Sequence, residues 1–199
     1  MKAARNRAFR SRISPGQKGF SLVEVMISMV ILVVGLVSLL GVFGLAMAST
    51  QTSQENNTAK QLANEAIEGI LTARETANVT WNQIQNTGSG GIFVAGFTPI
   101  FNPGVDGIIG TADDAASGIQ TLEIPGPNGT FAGNCPGAGA DICLPLNNFQ
   151  RQILITPVVD QFGNLVANLR SVTITVQYNV PQFKTPKQYV LNTFISPYR

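Results

Sequence analysis

Residues 18–48 read KGFSLVEVMISMVILVVGLVSLLGVFGLAMA, and a single carboxylate, Glu24, stands near the head of this otherwise apolar run. From Val25 to Ala48 no residue is charged. As a helix that stretch would span about 36 Å, enough for a bilayer core of about 30 Å. Three readings compete. A cleaved secretory signal has an apolar stretch of only about 7–15 residues, although Ala46-Met47-Ala48 resembles its small-residue cleavage site. An uncleaved anchor fits the length and the flanks, with its basic end held in the cytoplasm. Neither accounts for Glu24, because a carboxylate at the centre of a membrane helix costs about 2.5–3.5 kcal/mol on insertion scales. The third reading does: a cut between Gly19 and Phe20 would create an α-amino group one helical turn from Glu24. The plain alternative is that Glu24 lies at the headgroup level and needs no partner.

The charge distribution supports a leader followed by a body. Of thirteen basic residues, six (Lys2, Arg5, Arg7, Arg10, Arg12 and Lys18) precede Phe20, with no acid among them. The remaining seven face all eleven acids, so the formal +2 of the chain hides a mildly acidic body. No basic and aromatic surface of the kind nucleic acids require is expected there. The chain has no histidine, which removes His-based acid–base and nucleophilic chemistry and most zinc sites.

Lys18-Gly19-Phe20-Ser21-Leu22-Val23-Glu24-Val25 resembles the processing site of type IV pilins and pseudopilins. The basic leader, Gly before the cut, Phe after it, Glu at the fifth mature position and the long apolar helix carry the likeness together. The resemblance implies that a prepilin peptidase cuts after Gly19 and methylates the amine of Phe20. It also implies that Glu24 assists assembly by neutralising the Phe20 amine of an adjacent subunit. Two features depart from the family pattern. The leader, residues 1–19, is longer than the shortest ones, and the proline common in the apolar helix of major pilins is missing. Gly35, Gly41 and Gly44 either permit local unwinding there or reflect the general frequency of glycine in membrane helices.

Beyond the apolar run, STQTSQENNT (residues 49–58) marks emergence into water. AKQLANEAIEGILTARET then places Leu62, Ala66, Ile67, Ile70 and Leu71 at three- and four-residue steps, the pattern of an amphipathic helix. It is expected to continue the membrane helix as a stalk (residues 49–77) whose apolar stripe packs on a sheet. Its text also resembles the matching stretch of PilV-type minor pilins, which favours a minor over a major subunit.

Residues 78–148 are rich in glycine and proline and predict loops with short strands, GIFVAGF and GIQTLEI among the latter. Within them Asn102, Asp106, Asp113 and Asp114 are candidate ligands for calcium, a cation that takes six to eight oxygens. The stretch resembles acidic Gly-Thr-x-Asp-Asp calcium loops of some secreted bacterial proteins; a solvated turn is the alternative. Cys135 and Cys143, beyond a membrane anchor, are expected to form a disulfide in preference to a metal or redox pair. Residues 149–199 predict antiparallel sheet. RQILITPVV is one strand, DQFGN a turn, and QYVLNTFIS a last strand. SVTITVQYNV alternates Val172, Ile174, Val176, Tyr178 and Val180 against Ser171, Thr173, Thr175, Gln177 and Asn179.

The expected fold is therefore α+β and pilin-like, a long N-terminal helix packed on an antiparallel β-sheet. The expected function is that of a minor pilin, without catalysis and with no required cofactor beyond an optional calcium ion. Its partners would be the prepilin peptidase, other pilins through the helix (residues 20–48), and the inner membrane before assembly, with the body periplasmic and later on the pilus. The alternatives are a type II secretion pseudopilin and a signal-anchored periplasmic calcium-dependent binding protein.

Overall fold

The computed structural model describes residues 19–124, 135, 142–180 and 184–198. The basic leader before Gly19 and most of the loop between the two cysteines lie outside these residues. The chain divides into two units, Met1–Met47 and Ala48–Arg199.

A single helix, α1, runs Leu22–Glu75 and contributes to both units. It starts where Ser21 offers its carbonyl to the amides of Glu24 (3.0 Å) and Val25 (3.2 Å). It stops where Ala77 takes the left-handed conformation at φ 60 and Val79 N–H turns back to Ala73 O. In the first unit every described residue is exposed along an apolar surface, with Leu22, Leu40, Leu45 and Met47 each at least 70% accessible. Two serine hydroxyls there bond the helix's own backbone. Ser28 Oγ donates to Glu24 O at 2.7 Å and Ser38 Oγ to Val34 O at 2.8 Å. Such back-bonding is what a hydroxyl needs where water is absent.

The second unit is built on a four-stranded antiparallel sheet of order β1-β4-β5-β6. Its strands are β1 Thr98–Pro99, β4 Phe149–Val159, β5 Leu165–Tyr178 and β6 Lys187–Ile195. A separate ribbon pairs β2, Thr121–Ile124, with β3, Ile142–Pro145. The expected α+β architecture is observed: α1 packs on the sheet through Ala59, Leu62, Ala63, Ala66, Ile70 and Ala73. Four alanines on that stripe let the sheet approach closely, while Leu62 and Ile70 fill the remaining space. From the sheet come Ile153, Ile155, Val172, Ile174, Val176 and Tyr178, and from the loops Ile84, Phe93 and Ile100.

Two expectations about strands are corrected. GIFVAGF forms no strand. Gly90 and Gly96 adopt φ of 84 and 92, and Phe93 makes only an isolated bridge to Asn86. Phe93 is wholly buried, so its apolar character serves as a plug for the core. The second correction concerns the polar face of β5. Thr175 is itself buried, because β5 is a central strand and Gln152 and Val190 flank it in register. The DQFGN turn is present as expected. Asp160 Oδ1 accepts the amides of Phe162 (2.8 Å) and Asn164 (2.9 Å), and Gly163 has φ 83.

One buried side chain replaces a missing strand. Asn86 Nδ2 donates to Ile153 O at 2.8 Å, and its Oδ1 accepts Ile155 N–H at 2.8 Å. The amide thus closes the edge of β4 beyond the short β1, where unpaired backbone groups would otherwise be buried at a cost.

Candidate functional site

The processing region comes first. Gly19 and Phe20 precede α1 outside any helix or strand and are exposed, with Phe20 81% accessible. Glu24 lies in the first turn of the helix. An acid there is favoured by the unsatisfied amides and the positive end of the helix dipole. The Gly19–Phe20 bond thus lies outside the helix and Glu24 just inside it.

The acidic loop is the second region. Oxygens of Asp106, Asp113 and Asp114 lie within 4.8 Å of one another. Each also has work within the loop. Asp114, almost fully buried, accepts Gly104 N–H at 2.8 Å and Gly110 N–H at 2.6 Å through its two oxygens. Asp113 Oδ1 accepts the Thr111 hydroxyl at 2.6 Å, and its Oδ2 accepts Asp106 N–H at 3.3 Å. The Thr111 hydroxyl chiefly, with help from backbone amides, holds the Asp113 carboxyl below its ordinary value of 3.8. Asp106 Oδ1 accepts Ile108 N–H at 2.8 Å. The loop is drawn so tight that a Cβ on Gly104 would stand 2.1 Å from Asp113 Oδ2. Asn102 is engaged elsewhere: its Nδ2 donates to Ser117 O at 3.3 Å.

A buried ion pair, missed by the sequence reading, ties this region to α1. Arg151 is only 4% accessible. Its guanidinium stands 3.6 Å from Glu65 Oε2 and donates to Leu62 O at 3.2 Å. Burial pulls the Arg151 pKa down, and the nearby carboxylates of Glu65 and Asp114 oppose that pull. Glu65 also accepts Gln120 Nε2 at 3.0 Å. The clue was present in the sequence, since Arg151 shares the inward alternation of Phe149, Ile153 and Ile155. Arg170 plays a similar part further along. It stacks 4.1 Å over the Trp81 ring and donates to the carbonyls of Trp81 and Ile84.

The structure joins Cys135 to Cys143 as a disulfide, with Cα atoms 5.5 Å apart. Cys143 lies in β3, opposite Glu123 of β2.

Residues 14–40 match the family described as the prokaryotic N-terminal methylation motif. The chain carries the class III signal of type IV pilins. That signal supports a type IV pilin or pseudopilin precursor, and it points to a structural subunit before an enzyme. It implies processing by prepilin peptidase and assembly with other pilins. The signal and the apolar start of α1 together fit membrane anchoring followed by pilus assembly. Comparison with curated proteins and with solved structures yields no match.

Proposed function

We propose that this chain is a minor pilin of the PilV type. The prepilin peptidase would cut between Gly19 and Phe20 and methylate the new amine. The apolar helix would hold the subunit in the inner membrane, and extraction into a filament would then exchange lipid for neighbouring helices. The observation that carries this reading is the methylation motif over residues 14–40, with Glu24 in the first turn of a helix whose apolar half is uncovered. In the filament, the Glu24 carboxylate would meet the Phe20 amine of the next subunit.

Quantitative mass spectrometry of sheared filaments tests the reading. The expected result is a chain beginning at methylated Phe20, at a small fraction of the main subunit. A chain still beginning at Met1 and confined to the membrane fraction would end it. The pairing is tested by Glu24→Ala, expected to insert in the membrane normally and to be lost from filaments. Normal incorporation of that variant would sink the pairing. The proximity of Asp106, Asp113 and Asp114 favours calcium as an accessory ligand of the outward domain. A chelator should then lower the melting temperature, and an unchanged melt would remove calcium from the proposal.

A further inference from the structure

The sheet of the second unit has two edges, and the chain treats them differently. At one edge β1 is only two residues long and ends at Pro99, which has no N–H to offer a further strand. Beyond it, Asn86 closes β4 by bonding Ile153 O and Ile155 N–H. Natural sheets blunt their edges in such ways to keep foreign strands from pairing.

The opposite edge is open. β6 is nine residues long and last in the sheet order. It pairs with β5 from Lys187 opposite Tyr178 to Ile195 opposite Arg170 with no break in register. Alternate residues of an antiparallel strand turn their N–H and C=O to opposite sides, so about half of β6 presents its backbone away from β5. No backbone bond from a described residue outside the sheet reaches β6.

The usual edge guards are missing past the first residue. From Gln188 to Ser196 there is no charged residue, proline or glycine. The face of β6 turned from the core carries Val190, 50% accessible, and Phe194, 65% accessible, with Gln188 and Asn192 exposed beside them. Tyr189 and Leu191, on the other face, pack against the core. A long, uncharged edge strand with exposed valine and phenylalanine is a template for one more strand.

The chemistry of this edge selects one kind of ligand. A row of donors and acceptors at strand spacing is matched by another extended main chain; a helix has already paired its own backbone groups. Side chains add a preference, since β-branched or aromatic residues pack best beside Val190 and Phe194, while a charged one would lose hydration there. A second copy of this chain could offer only its own β6, because its β1 edge is closed. That pairing is a closed two-fold dimer, which a subunit added singly to a filament does not form.

We propose that β6 is a docking edge at which an uncharged, extended strand of a different pilin subunit adds to the sheet, with its apolar side chains set against Val190 and Phe194. The proposal rests on the filament assembly read above and supplies a contact made by the folded domain, separate from helix-to-helix packing.

The test uses the full chain, in filaments sheared from the native cell and solubilised in detergent from its membranes. Hydrogen–deuterium exchange read on peptides within residues 187–196 reports the edge directly. The β6 amides should exchange about tenfold more slowly in the filament than in the solubilised chain. Val190→Lys and Phe194→Lys each put a charge at the edge on an exposed side chain. Each should cut the share of this chain in filaments by about tenfold, with the melting temperature and the cut after Gly19 unchanged. Phe162→Lys, at a residue 78% accessible in the β4–β5 turn, should incorporate like the wild type. A benzophenone cross-linker in place of Phe194 should capture a strand of another pilin. Equal exchange in the two states, normal incorporation of both β6 variants, or an equal loss from Phe162→Lys overturns the proposal. So does capture only of a second copy of this chain or of a protein without the methylation motif. Each of these results removes the edge contact alone, whereas a chain still beginning at Met1 removes the function proposed above as well.

Discussion

The two halves of α1 solve the problem of covering apolar surface in different ways. From Leu22 to Met47 apolar side chains point in every direction and nothing among the described residues covers them. From Ala59 to Ala73 the apolar residues keep to one stripe, chiefly of alanine, and a sheet from the same chain covers it. Each large apolar side chain left in water forgoes about 1.5–3 kcal/mol of burial, so the first half requires lipid or other helices throughout its life. The second half has its partner built in. The anchor is thus free to exchange one apolar environment for another while the domain stays folded.

Matched truncations in the two halves put this contrast to its hardest test. Ile70→Ala should destabilise the domain by about 2–5 kcal/mol in urea unfolding, since Ile70 is 2% accessible. Leu40→Ala, at a residue 70% accessible, should change the same transition by less than about 0.5 kcal/mol. A comparable loss from Leu40→Ala would mean that the domain depends on the anchor for its stability.

The next effect concerns the ion pair beneath the stripe. Arg151→Ala should cost about 3 kcal/mol, because Glu65 and the Leu62 carbonyl lose a buried partner. Arg151→Met, which keeps the volume and removes the charge, should cost less than half as much by chemical denaturation. Equal losses would show that packing, and not charge, holds the helix to the sheet here.

Away from the helix, Cys135→Ser should lower stability by about 2–3 kcal/mol on the chain-entropy account of a short loop. Differential scanning calorimetry with and without reductant would measure it. A wild type insensitive to reduction would assign the loop no share in the cooperative unit.

The smallest effect is in the acidic loop. The Asp113 carboxyl titrates below 3.8 in the folded state, so its contribution is present above that value and is lost as pH falls through the folded pKa. Melting temperature should therefore decline below about pH 4, and Asp113→Asn should flatten part of the decline. The remainder would come in part from Asp160, which the amides and side chain of its own turn hold down in the same way. An unaltered pH profile in Asp113→Asn would assign the decline to other carboxylates.

Much of the architecture was legible because its signals are local. Val172, Ile174, Val176 and Tyr178 alternate and are buried, and Leu62, Ala66 and Ile70 recur at helical steps and are buried with them. The loops were harder, because several of their contacts are made by residues far apart in the chain. GIFVAGF reads as a strand by composition, yet left-handed glycines on both sides turn it into the mount for one phenylalanine. Two-residue β1 is too short to leave a pattern, and the closure of β4 by Asn86 joins positions 67 and 69 residues apart.

By itself the sequence determined the methylation motif over residues 14–40, the apolar run, and the alternation of β5. These depend on composition and period, which short stretches of chain carry alone. Only the tertiary structure decided that Arg151 lies beneath α1, that Asp114 is spent on the amides of Gly104 and Gly110, and that Asn86 acts as a strand edge. The physical reason for Arg151 and Asn86 is the pairing of buried polar groups across long separations, fixed only when the sheet and helix have closed on one another; Asp114 is fixed by the tight path of its own loop.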